Sequence, residues 1–117
     1  MEQEMQQQIE QLLDAIKQDY VDWTDRAEKT RGEPSKYFQE TIANWDDNVE
    51  VKEGKKYVKI IRDGSVWGFI VNVDDDKMFR KGDILKPAGF NAPARNKPRG
   101  NILDGGYRIQ WTGPAYL

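Results

Sequence analysis

An α+β fold, with an N-terminal helix or helical hairpin followed by a small antiparallel sheet, is predicted from three features of the sequence. Apolar residues recur at helical spacing through the first part of the chain. From Asp46 onward the repeat shortens to two, as in strands. The second half is punctuated by Asp63-Gly64 and by Asp104-Gly105-Gly106, both turn signals between alternating apolar runs. The boundaries that follow are a helical region at residues 1–45 and an antiparallel β unit at 46–117, together one compact domain. The sheet is expected to be strongly curved or a partly open β-barrel.

The first helix is predicted over residues 3–29. Ile9, Leu13, Ile16, Tyr20, Trp23 and Ala27 stand four and three apart in alternation, and Met5 and Leu12 widen that stripe. A stripe of this length buries either against its own domain or against the same helix of a second copy, a homodimer. A helix of 27 residues would be about 40 Å long, more than a body of about 90 residues is wide. One end must overhang, and MEQEMQQQ, with little to bury, is the expected one. Gly32 and Pro34 end the helix. A second, shorter one is predicted over 34–45, with Pro34 near its first turn and Phe38, Ile42 and Trp45 on its apolar face.

Strands are then expected at 48–51 and 56–61, joined by Lys52-Glu53-Gly54-Lys55. Asp63-Gly64 leads into SVWGFIVNV, residues 65–73. Strict alternation there puts Trp67, Phe69, Val71 and Val73 on one face, and Val66, Gly68, Ile70 and Asn72 on the other. Both faces are largely apolar, so this strand is expected at the centre of the sheet. Short strands or one bulged strand about Gly82 are expected over 78–86, and a last strand at 107–111.

The chain has no cysteine and no histidine, which removes disulfides, thiolate chemistry, the usual zinc sites and imidazole catalysis. Its two serines, Ser35 and Ser65, have no histidine to activate them. No catalytic residue, cofactor or metal is expected, and so no enzyme. Asp74-Asp75-Asp76 lacks the spaced acids, glycine and glutamate of a calcium loop and reads as a solvated turn. The glycines never form a phosphate-loop or dinucleotide pattern. The acidic, polar N-terminus is not a signal peptide, and no apolar run is long enough to span a membrane.

Charge is unevenly divided. Residues 1–50 hold 5 Lys and Arg against 13 Asp and Glu, whereas residues 51–117 hold 13 against 7. Either the halves pack and neutralise one another or the basic half meets an acidic partner. The stretch KPAGFNAPARNKPRGN, residues 86–101, concentrates the question. It has three prolines, two glycines, four basic residues and no acid. Long structureless segments in compact domains are usually functional or disordered. Its apolar residues and prolines favour order. It either lies on the sheet and caps an open end, or presents Arg95, Lys97 and Arg99 along one side of an extended run, to grip phosphates or carboxylates. Phe90 or Trp67 would offer a stacking face, and Arg80, Lys81 and Lys86 would add charge.

The run GDILKPAGFNAPARNKPRGNI, with WTGP at 111–114, resembles a family of small proteins of tailed bacteriophages, cyanobacterial and marine phages included. That family carries K-x-x-x-W-x-A-P-A-[KR]-x-x-x-R-G-N-[IV] after a hydrophobic hairpin. Lys86, Ala92, Pro93, Ala94, Arg95, Arg99, Gly100, Asn101 and Ile102 match, Phe90 takes the tryptophan position, and Trp67-Gly68 stands where His-Ser is common. The resemblance covers about residues 55–114, with the N-terminal helices as an addition. It implies a compact β unit and a viral protein in the cytoplasm of an infected host, and it carries over no activity. The expected role is a non-enzymatic accessory module presenting the basic loop to nucleic acid or an acidic protein, through Phe90, Arg95, Lys97 and Arg99. The alternative is an assembly protein that self-associates through its N-terminal helix, with the loop only capping the sheet.

Overall fold

The computed structural model describes residues 2–114; Met1 and residues 115–117, at the outer ends of the two regions above, lie outside them. Helix α1 (Gln3–Arg31) is followed by α2 (Lys36–Ala43), a turn of 3-10 helix at Asp46–Asn48, and strands β1 (Val49–Glu53), β2 (Tyr57–Arg62), β3 (Ser65–Val71) and β4 (Ile84–Leu85). These four form one antiparallel sheet in the order β1-β2-β3-β4. Two small ribbons complete the fold: β5 (Pro87–Gly89) with β6 (Ala92–Pro93), and β7 (Ile109–Gln110) with β8 (Gly113–Pro114). The architecture is α+β, and the sheet is open, not closed into a barrel.

Helix α1 ends where Gly32, at φ 80°, donates its N–H to the carbonyl of Glu28 at 2.8 Å. Helix α2 starts two residues later than expected, at Lys36, with Ser35 as its cap: the Ser35 Oγ accepts from the Phe38 N–H at 3.3 Å, while its own N–H donates to the Glu28 carboxylate at 2.6 Å. One glutamate thus ties the end of α1 to the start of α2.

The buried line of α1 is Met5, Ile9, Leu12, Ile16, Tyr20 and Thr24. The stripe read from sequence is rotated slightly: Leu13 is only half-buried and Trp23 sits at the margin, 38% exposed, against Phe38 and Trp111. The expected overhang is also at the wrong end. Met5 is fully buried, and Glu2 pairs with Lys81 of the β3–β4 connection. It is the other end, residues 25–34, that is mostly exposed. The sparse apolar residues of the N-terminal turns suffice because the sheet lies directly beneath them.

The core has two parts, one on each face of the sheet. On the helix face, the α1 line packs with Trp45, Val58, Ile60, Trp67, Ile70, Ile84 and Ile102. On the opposite face, Phe69, Val71, Phe79 and Leu85 pack with Tyr57, Val66 and Val73. Strand β3 is central and covered on both sides, as expected. Its faces are not those of strict alternation, because Trp67 lies on the helix side while Phe69 and Val71 lie on the other. The register explains it: Ile60 pairs with Gly68 but Ile61 pairs with Val66. Trp67 is the extra residue of a β-bulge, and a one-residue insertion reverses every side chain before it. Its indole N–H donates to the Gln110 carbonyl at 2.8 Å. The Asp63-Gly64 turn has φ of 51° and 78°, the two positive values of the tight hairpin turn that Asp-Gly favours.

Residues 86–101 are not an open loop. Pro87–Gly89 and Ala92–Pro93 form a hairpin with Phe90-Asn91 at its tip, closed at the base by Ala94 N–H to Lys86 C=O at 2.7 Å. The chain then returns alongside β4. Arg99 N–H donates to Ile84 C=O at 2.8 Å, and Ile84 N–H donates to Gly100 C=O at 2.9 Å. This leg covers the outer edge of β4, which would otherwise expose unpaired backbone groups. Asn101 is buried, donating to the Asp83 carboxylate and the Lys81 carbonyl, 2.9 Å each, and accepting from the Leu103 N–H at 2.8 Å. Gly100, at φ 137°, leaves no room for a side chain: a Cβ there would lie 2.6 Å from Cβ of Tyr107. Gly100→Ala is expected to destabilise the fold by about 1–3 kcal/mol, measured as a lower urea midpoint with an unchanged slope.

Candidate functional site

The face opposite α1 gathers the basic side chains of three segments around one carboxylate. Asp76, third of the three consecutive acids, accepts hydrogen bonds from the N–H groups of Met78 at 2.8 Å and Phe79 at 3.0 Å. Nη2 of Arg95 donates to both of its oxygens, 3.0 Å each, and Nζ of Lys56 lies 3.5 Å away. The Asp76 side chain is 1% exposed. The solvated turn expected for all three acids therefore holds for Asp74 and Asp75 alone. Asp76 ties the β1–β2 turn, the β3–β4 connection and the leg after β6 together. Its hydrogen bond from Arg95, followed by that from Met78, holds its carboxyl far below the ordinary carboxylate range.

Arg95 also donates to the Tyr57 hydroxyl and stacks on Phe79, its guanidinium carbon 4.9 Å from the ring centre. The guanidinium is thus occupied by internal partners. Beside it, Lys55, Lys56, Val73, Asp75, Asp76, Lys77 and Arg95 line an open cleft of about 440 Å³. The ammonium groups of Lys55 and Lys77 have no partner among the described residues. Lys59, two residues from Tyr57 on the same face of β2, reaches across to the hairpin tip. Its Nζ lies 4.2 Å from the centre of the Phe90 ring and donates to Oδ1 of Asn91 at 2.8 Å. Lys52 of β1 stands directly opposite Lys59 in the register.

The residues expected to act together are only partly assembled. Phe90 is at the hairpin tip, 53% exposed. Lys97 is exposed, and its ammonium has no partner among the described residues. Arg95 is drawn to Asp76 and Tyr57, whereas Arg99 folds back on its own loop, donating to Asn96 Oδ1 at 2.7 Å and to the Lys97 carbonyl. Arg95 and Arg99 therefore have different neighbours. Arg80 is paired with Asp104 and Lys81 with Glu2. Trp67 is 3% exposed and offers no stacking face.

Sequence reasoning missed Lys55, Lys56, Lys59, Lys77, Tyr57 and Asp76. Lys55, Lys56 and Lys77 stand in turns and Lys59 alternates along a strand, where exposed lysines are ordinary; only the register brings them to the hairpin. The acidic helices do not cover this face, since the α1 line packs on the other side of the sheet. Among the described residues there is no group of three or more acidic, histidine or cysteine side chains placed to hold a metal, and no helix is long and apolar enough to cross a membrane.

At the far end of the sheet, Arg62 forms a second cation site of a different kind. Its guanidinium carbon lies 4.9 Å from the Trp45 ring centre, 5.2 Å from Trp111 and 5.9 Å from Tyr20. These contacts join α1, the turn after α2, β2 and the C-terminal ribbon. They read as packing of the long side chain over aromatic faces.

In comparison with known proteins, residues 1–117 match a family described as "Family of unknown function (DUF7717)". That match takes in the helices as well as the sheet. Neither a curated protein nor a solved structure matches the chain.

Proposed function

The chain belongs to this family of unknown function along its whole length, and from its geometry we propose that it is a non-enzymatic module that binds nucleic acid through the sheet face opposite α1. The observation that carries this reading is the convergence of Lys55, Lys56, Lys59, Lys77 and Arg95 on one face, beside an exposed aromatic ring. Clustered ammonium groups attract a phosphate backbone, and aromatic rings receive its bases. The role expected of the 86–101 segment is thereby enlarged. The hairpin supplies Phe90 and the leg supplies Lys97, but much of the charge comes from β2 and the neighbouring turns. A viral accessory role is consistent with this and rests on the resemblance over about residues 55–114 alone.

The test is fluorescence anisotropy of labelled DNA and RNA at about 50 and 200 mM salt. Lys55→Ala with Lys77→Ala removes two charges that hold no internal partner, so the fold should be unaffected. Each phosphate contact contributes about −0.7 to the slope of log K against log salt for single strands, so the pair should make the slope shallower by about 1.4. No binding by the unaltered protein at the lower salt, or a slope unchanged in the double variant, would contradict the assignment.

A second reading, self-association through α1, has less in its favour. The face that would meet another copy is covered by this chain's own sheet.

A further inference from the structure

We infer that the hairpin tip is a stacking site for an unpaired base, so that the protein prefers single-stranded nucleic acid to duplex. The inference rests on the nucleic-acid reading above and adds the class of strand.

Phe90 sits at the turn of a two-stranded ribbon whose strands each contain a proline, Pro87 and Pro93. The ribbon is pinned to β3 and β4 by the chain on either side of it, so the ring is presented on a stiff support. More than half of the residue is open to solvent, an unusual position for phenylalanine. The ring is nevertheless held in place. Lys59 lies over it at 4.2 Å, and the same ammonium donates to Asn91 Oδ1 at 2.8 Å. The lysine therefore serves as a fixed cation on one face of the ring, so that a base stacks on the opposite face with a positive charge close by. From Lys59 the path continues along β2 to Tyr57, about 6.6 Å away at two residues of strand rise. The Tyr57 hydroxyl receives the Arg95 bond at the margin of the 440 Å³ cleft that Lys55 and Lys77 line.

An aromatic platform, a cation beside it and a second cationic cleft further along are the parts a flexible, extended strand requires. A duplex keeps its bases stacked on each other and offers Phe90 only its backbone. An acidic polypeptide would use the charges and leave the ring without a planar partner. In this arrangement Arg95 is a positioning residue: it holds the cleft in shape through Asp76 and Tyr57, while Lys55 and Lys77 meet the phosphate.

The experiment compares Phe90→Ala and Phe90→Trp with the unaltered protein, using a labelled single-stranded oligonucleotide, the same sequence as a duplex, and polyglutamate. Phe90 is exposed, so all three proteins should share a melting temperature, which is checked first. The expected result is a loss of affinity for the single strand of about ten-fold in Phe90→Ala, with duplex affinity unchanged and Phe90→Trp retaining tight single-strand binding. Ring-current shifts of the Phe90 ring protons on adding the oligonucleotide would show stacking directly. Equal loss on single strand and duplex, or no loss on either, would overturn the stacking site while leaving the phosphate-binding reading intact. Binding of polyglutamate as tightly as of the oligonucleotide would overturn both in favour of an acidic protein. Failure of every nucleic acid to bind at about 50 mM salt would also overturn both.

Discussion

Leu12→Ala is expected to cost about 2–5 kcal/mol, a large share of the 5–15 kcal/mol by which a domain of this kind is stable. Leu12 is fully buried, in the line that runs from Met5 to Thr24 against the sheet. Removing most of its side chain forfeits the transfer of those atoms from water and leaves a cavity between a helix and a sheet that cannot close fully around it. Leu13, adjacent in sequence, is only half-buried, and Leu13→Ala should cost markedly less. Urea unfolding of the two variants measures the phase of the helix directly. Equal losses would mean that the helix presents the stripe read from the sequence and not the line seen in the structure. A negligible loss in Leu12→Ala would mean that the N-terminal half of the helix is undocked. Because α1 supplies so much of the cover of one sheet face, removing residues 1–45 would expose that face, and the truncated chain would be a poor vehicle for measuring binding.

The second large effect is expected at Asp76. Asp76→Asn keeps the shape but removes the charge that faces Arg95 and Lys56 and weakens what the Met78 and Phe79 N–H groups donate to. The melting temperature should fall by several degrees at neutral pH. The direction with pH follows from linkage. The folded carboxyl is held well below its unfolded value of about 3.9. Folding therefore favours the ionised form, and the stabilisation is fully present above the unfolded value. It is lost as the pH falls from there toward the folded value. The gap in stability between the unaltered protein and Asp76→Asn should be widest at pH 6–7 and should shrink at about pH 3. A gap of constant size across that range would place the effect in packing instead of charge. The same variant should loosen the cleft, since Arg95 would keep a single neutral acceptor there and lose its ion pair.

Several features of the 86–102 segment separate once both faces are seen. Gly100, Asn101 and Ile102 are explained by structure alone: a close approach to Tyr107, a buried amide network with Asp83, and a fully buried core side chain. Phe90 has no such explanation, being exposed with Lys59 over its ring. The segment thus serves two ends. Its returning leg completes the sheet edge, and its hairpin presents the ring.

What the sequence determined by itself is what local spacing and local turn chemistry encode. The long first helix, the short second one, the Asp-Gly hairpin and the central position of β3 could all be read before any coordinates, because each depends on residues within a few positions of one another. The absence of histidine and cysteine excluded whole classes of chemistry on composition alone. The tertiary structure alone decided which way Trp67 points, because a bulge is set by the partner strand and not by the strand that carries it. It alone decided which end of α1 is docked, since that depends on where the sheet lies. It also decided that Asp76, one of three identical neighbours, is the buried anchor. Its partners Arg95 and Lys56 are 19 and 20 residues away in opposite directions along the chain, and no local pattern distinguishes it from Asp74 or Asp75. The basic face was hidden for the same reason: its charges come from separate turns and strands, and only pairing in the sheet sets them side by side.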